Sequence, residues 1–144
     1  MFRSICESDK NAFLKMSLEF YNSPAVLRPI DERFHENTFA ELVRSRDYLE
    51  CYIIEQDGKT AGYCLLNKTF GHECGGPVVW IEELYVRPEY QGKGLGSAML
   101  DFVEQENPAA RYRLETEPEN ENAARLYGRK GYEPLGYCQM VKDK

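Results

Sequence analysis

The chain has 144 residues, 42% apolar and 29% charged, with a formal net charge of −6. That length suits one domain with its own core, and the expectation is a single domain over 1–144. The 18 Lys and Arg are scattered rather than blocked, which excludes counterion-driven binding to nucleic acid, and no apolar run approaches the roughly 20 residues of a membrane span.

In chain order, "FRSIC" reads as a short strand. Ser8 or Asp9 then caps a helix carrying Phe13, Leu14, Met16, Leu18 and Tyr21, which ends near Asn22 ahead of Pro24. A second helical pattern runs from a cap at Asp31 to about Arg46, with Phe34, Phe39, Leu42 and Val43 at helical spacing. The runs "YLECYIIE" and "TAGYCLLNKTF" are joined by "QDGK", in which Asp57-Gly58 is a hairpin signal. After the loop "GHECGGP" comes a third β-rich run, "VVWIEELYV". There follow the helix "GSAMLDFVEQE", the strand "RYRLET", the helix "NAARLYGRK" and a terminal strand pair around "GYEPLGYCQMV". This order predicts an α+β or mixed α/β arrangement around one central sheet.

Five cysteines at 6, 51, 64, 74 and 138 form no C-x-x-C pair, a poor disulfide framework that fits a reducing, cytoplasmic compartment. His72 and Cys74 invite a zinc reading, but the chain has only two histidines and no further ligand at sensible spacing, so no metal is expected.

The stretch "VRPEYQGKGLGSAML" places Gly92, Gly94 and Gly96 at alternate positions just before a helix. Bare amides at a helix start favour an anion, above all a phosphate. The spacing satisfies neither the Walker loop nor the G-x-G-x-x-G dinucleotide fingerprint. It resembles instead the Q/R-x-x-G-x-G/A signature of the GNAT superfamily, the coenzyme A-dependent N-acetyltransferases. A second stretch, "NENAARLYGRKGYEP", resembles that family's N-x-x-A-x-x-L-Y segment and its following G-F/Y step. Asn120, Ala123, Leu126, Tyr127, Gly131 and Tyr132 stand in the matching places.

The resemblance implies a mostly antiparallel twisted sheet with one splayed parallel strand pair, flanked by about four helices. Acetyl-CoA would be the cosubstrate. Its pyrophosphate would meet Gln91, Gly92, Lys93, Gly94, Leu95, Gly96 and Ser97, with Asn120 adding a contact, and pantetheine would pair with the main chain at Leu84 and Val86. A bulge in that strand would turn an amide toward the thioester oxygen.

An alkyl ammonium of pKa about 10.4 must lose a proton before it attacks, and Glu82 and Glu83 are the nearest bases in sequence. On a regular strand Glu82 shares a face with Leu84 and Val86, while Glu83 shares the other with Ile81 and Tyr85. Similarity to the diamine acetyltransferase-like branch, through the strand end "EELYV", favours Glu82 as base or amine-binding group. Glu83 is a second substrate-binding candidate, and either glutamate could instead be a solvated surface residue. Tyr127 matches the position of the family's general acid.

Glu115, Glu117, Glu119 and Glu121 either attract a cationic acceptor or solvate a turn and favour a helix N-terminus. The expected activity is direct acetyl transfer to a primary amine: a small amine, polyamine or amino-acid amine. A protein or peptide amine or an aminoglycoside is the alternative within enzymes, and a non-catalytic coenzyme A-binding regulatory module is the alternative outside them. The family often dimerises, so a homodimer is an expectation of the same origin.

Overall fold

A computed structural model describes residues 1–144. The elements in order are β1 (Phe2–Ser4), α1 (Lys10–Tyr21), α2 (Glu32–Arg44), β2 (Leu49–Gln56), β3 (Lys59–Gly71), β4 (Gly76–Val86), α3 (Leu95–Glu106), β5 (Arg111–Leu114) and α4 (Glu121–Arg129). Local chemistry accounts for several boundaries. Asp57 and Gly58 take φ of 52° and 72°, the left-handed pair that closes a two-residue hairpin loop between paired Gln56 and Lys59. Asp31 accepts from the backbone N–H of Arg33 at 2.9 Å to start α2, and Asn120 accepts from that of Ala123 at 3.2 Å to start α4.

The five strands form one sheet in the order β1-β2-β3-β4-β5. Neighbours are antiparallel from β1 to β4, and β4 pairs with β5 in parallel. Each central strand is buried on both faces, which is why "CYII" and "YCLL" read as unbroken apolar runs. On one face Ile54, Cys64, Leu66, Val79 and Ile81 meet Met99, Leu100 and Val103 of α3, with Leu126 and Tyr127 of α4 at the margin. On the other, Ile53, Tyr63 and Leu65 meet Phe13, Met16 and Phe20 of α1 and Phe39 of α2.

Three sequence expectations change. The terminal strand pair does not form: from Gly131 onward the chain is irregular and, apart from Tyr132, exposed. Gly131 turns at φ 88°, and Pro134 removes a ladder donor soon after. Asp9 sits at the α1 N-cap but gives that helix no side-chain cap. Its carboxylate is taken by Arg3, at 2.8 and 2.9 Å, and by the Cys6 backbone N–H at 2.8 Å.

The third change concerns β4. Leu65 pairs with Glu83 but Leu66 pairs with Ile81, so Glu82 is an extra residue without a partner on β3. This bulge moves Ile81 onto the α3 face with Leu84 and Val86, while Glu83 and Tyr85 face α1. Period-two alternation across Glu82 would have kept Ile81 with Glu83.

Arg3 also reaches Glu55 at 2.7 Å, so its guanidinium pins the edge strand β1 to the turn before α1 and to the end of β2. Its hydrogen bonds hold the Asp9 carboxyl at a pKa of about 2, below the ordinary 3.8. A depressed carboxylate stabilises the fold fully above the unfolded value and loses that stabilisation as pH falls through the folded one. Asp9→Asn should therefore cost about 2 kcal/mol in urea unfolding at pH 7. The gap from the parent protein should close between pH 3.8 and about 2.

Candidate active site

The β4–β5 ladder ends at Ile81 opposite Leu114, although β4 continues to Val86. Beyond that point β4 is paired on its β3 side alone. The Arg87 N–H donates to Ala61 O at 2.8 Å across β3, so by strand alternation the main-chain groups of Leu84 and Val86 face the opposite, open edge. Val86 O on that edge accepts from the Gln91 side chain at 2.8 Å. A strand with a free row of donors and acceptors is a docking edge for an extended, amide-bearing ligand.

Beside this edge the chain turns into α3. Gly92 and Gly94 hold φ of 74° and 78°, a region L side chains rarely occupy, and a Cβ built at either would meet nothing within 4 Å. These glycines therefore serve backbone conformation and leave open space above it. Gly96 differs: its Cβ would lie 3.5 Å from Leu126 Cδ2 and 3.9 Å from Leu84 Cδ2, so it marks where α3 packs on α4 and β4. Gly94 caps α3 without any side-chain partner. The first-turn amides of Leu95, Gly96 and Ser97 have no intrahelical acceptor and add to the positive end of the helix dipole. Lys93 extends over the Tyr90 ring, its Nζ 5.4 Å from the centroid. The turn, the helix start and the open strand edge are contiguous, and they fit a ligand with a phosphate at one end and an extended amide arm at the other.

Glu82 lies at the bulge, next to where the parallel pair ends. Asn67 of β3 donates to its carboxylate at 2.6 Å. Crowding by surrounding protein raises its pKa, the nearby Glu115 raises it further, and the Asn67 bond opposes both. Glu82, Glu115, Asn67, Trp80 and Tyr48 line an open cleft of about 340 Å³. Thus Glu115, from the acidic link, faces the cleft with Glu82.

Glu83 is buried, with 6% exposure, and accepts from the Tyr63 hydroxyl at 2.6 Å. Burial raises its pKa, while Tyr63 and Tyr21 hydrogen bonds favour its ionised form. The polar chain goes deeper: the hydroxyl of Ser17 on α1 meets His35 Nδ1 on α2, and both side chains are buried. Glu83 is therefore built into the interface with α1 and α2 rather than solvated on the sheet.

Tyr127, on α4, is half-buried, and its hydroxyl is pushed up to about 12, chiefly by burial. Its ring lies 5.9 Å from that of Tyr132. The Asn120 side-chain oxygen is occupied by the α4 cap. His72 and Cys74 sit in the β3–β4 connection, where the Cys74 thiol donates weakly to Gly71 O at 3.6 Å. Sequence reasoning missed Asn67, Trp80 and Tyr48. Only the strand register brings them to Glu82, and no local pattern announces them.

The model of the acetyltransferase (GNAT) family matches residues 12–132, so the chain belongs to that family. It is 30% identical over 99 residues to the uncharacterized N-acetyltransferase YhfO of Bacillus subtilis strain 168, covering 64% of this chain and 66% of that protein. It is also 30% identical over 104 residues to a putative [ribosomal protein bS18]-alanine N-acetyltransferase of the same strain, covering 70% and 65%. The chain thus spans slightly under two thirds of the length of these curated relatives. Its fold is similar to that of an aminoglycoside N-acetyltransferase, AAC(6')-Iy, in complex with CoA, at a TM-score of 0.81 and 16% identity over 100% of this chain and 94% of that one.

Forcing a β-carbon into the left-handed conformation costs roughly 1–2 kcal/mol. Gly94→Ala should therefore lower the thermal midpoint by several degrees, although the added methyl group touches nothing. The same substitution at Gly96 should shift it less, because no positive φ is required there.

Proposed function

We propose that this protein transfers an acetyl group from acetyl-CoA to a primary amine by direct attack. The observation that carries this reading is the unpaired edge of β4 beyond Ile81, lying beside a phosphate-type turn at the start of α3. The backbone from Gln91 to Ser97 receives the pyrophosphate, the main chain of Leu84 and Val86 pairs with the pantetheine amides, and Asn120 stands at the start of α4 to add a contact. When bound, acetyl-CoA supplies an activated thioester carbonyl.

The protein's own groups then have two proton tasks. Glu82 takes the proton from the incoming ammonium. Its raised pKa narrows the gap to the amine and improves it as a base. The β4 bulge releases main chain at Glu82 from the β3 ladder, where an amide can meet the developing oxyanion.

Tyr127 faces the departing sulfur. A hydroxyl near 12 is a weaker acid than a thiol of about 8.5, so Tyr127 acts first as a hydrogen-bond donor and gives up its proton only as the C–S bond breaks. Glu83, buried and held by the Tyr63 hydroxyl, supports β4 behind the cleft instead of binding the acceptor directly. Acceptors in this reading include small amines, polyamines and amino-acid amines.

The decisive measurement is release of coenzyme A thiol from acetyl-CoA across a panel of amines. Amine-dependent release supports transfer; coenzyme A binding with no release above hydrolysis would make the chain a binding module. Tyr127→Phe should lower kcat on the order of 10²-fold while sparing acetyl-CoA affinity, and unchanged turnover would remove its acid role.

The pH profile tests Glu82. The acidic limb of kcat/KM should lie above the ordinary carboxylate range, because the base must be ionised and its pKa is raised. Removing a neighbouring negative charge stabilises the ionised form, so Glu115→Gln should move that limb to lower pH.

A further inference from the structure

The cleft beside Glu82 is not uniformly acidic. Trp80 forms one wall, and the guanidinium of Arg113 lies over its ring, 4.2 Å from the centroid. Trp80 and Arg113 are register partners in the parallel pair, and Arg111 shares the Arg113 face two residues earlier on β5.

Neither arginine has a carboxylate within ion-pair distance, and neither donates a side-chain hydrogen bond to the protein. Lys68, which lines the cleft itself, is engaged with Glu50 at 3.2 Å, and Arg87 after β4 is engaged with Glu19 at 3.1 Å. The indole face holds the Arg113 guanidinium in place by a cation–π contact and leaves its N–H donors, which match a carboxylate, free of protein partners. Glu82 lies two strand positions beyond Trp80, a separation of roughly 6–7 Å along β4.

We propose that the acceptor is an amine that itself carries a carboxylate. Its ammonium sits between Glu82 and Glu115, and its carboxylate lies on the free edge of Arg113, with Arg111 reinforcing the positive end. The inference rests on the transfer reading above and narrows it. A diamine or polyamine brings a second ammonium against two unpaired arginines, so the local field selects against the acceptors that the overall charge of −6 attracts at long range.

The test compares ω-amino acids of increasing chain length with α,ω-diamines of the same lengths in the thiol-release assay. The parent protein should favour the amino acid whose charges match the span, with kcat/KM on the order of tenfold above the matched diamine, as one charge-assisted hydrogen-bonded pair allows. Arg113→Gln should raise KM for that amino acid by a similar factor and collapse the ratio toward unity, and Arg113→Glu should invert it. Melting curves and coenzyme A binding report whether each variant is folded.

Diamines used as well as or better than amino acids by the parent protein would overturn the inference and leave transfer standing. Equal losses toward both acceptor series in Arg113→Gln would likewise overturn it. No thiol release with any acceptor, despite coenzyme A binding, would overturn the transfer reading and this inference with it.

Discussion

The molecule depends on a parallel strand pair that stops early. β4 and β5 share a ladder from Val78 and Arg111 to Ile81 and Leu114, and β4 then runs on with no strand on that edge, where the Gln91 side chain meets Val86 O alone. Backbone donors and acceptors left without partners are costly unless water or a ligand takes them. This fold keeps such a row open on a strand that is otherwise well paired and well packed. The bulge at Glu82 lies immediately beyond the last pair, so the end of the ladder, the change of face along β4 and the cleft carboxylate coincide within two residues.

The faces of the sheet divide the work. The α3 side is apolar and tightly filled, and it carries the glycine turn, the free amides of α3 and Tyr127 at its margin. The α1–α2 side is also apolar at its centre but contains the buried Glu83, Tyr63, Ser17 and His35. Glu83 with Tyr63 and Ser17 with His35 Nδ1 satisfy one another in pairs, while His35 Nε2 stays buried without a partner, and such groups fix side-chain positions more than they add stability. Tyr85 and Arg87 extend that coupling to the end of β4 through Glu19 of α1, at 3.1 Å each. Helix α1 therefore bears directly on the strand that shapes the cleft and the open edge.

Much of the architecture was legible because its signals are local. The hairpin at Asp57-Gly58, the caps at Asp31 and Asn120, and the apolar periodicity of α1 and α2 each depend on neighbouring residues alone. The terminal strand pair misled because β-prone residues such as Tyr137 and Val141 form a strand only if a partner edge accepts them, and in the structure they stay exposed. Asp9 misled for a similar reason: a cap residue is recognised from its sequence neighbours, but Arg3 on β1 offers its carboxylate a stronger, doubly hydrogen-bonded partner.

By itself, the sequence determined the order of elements, the glycine turn before α3 and membership of a family whose motifs sit in that turn and in α4, since backbone conformation and helix starts are set over a few residues. Only the tertiary structure decided which way the two glutamates face. A bulge is a mismatch between two strands, so the family resemblance could imply one in this strand but only the pairing with β3 places it at Glu82. It likewise took the β4–β5 register to lay Arg113 on Trp80 beside Glu82, because strand pairing joins residues that no local spacing relates.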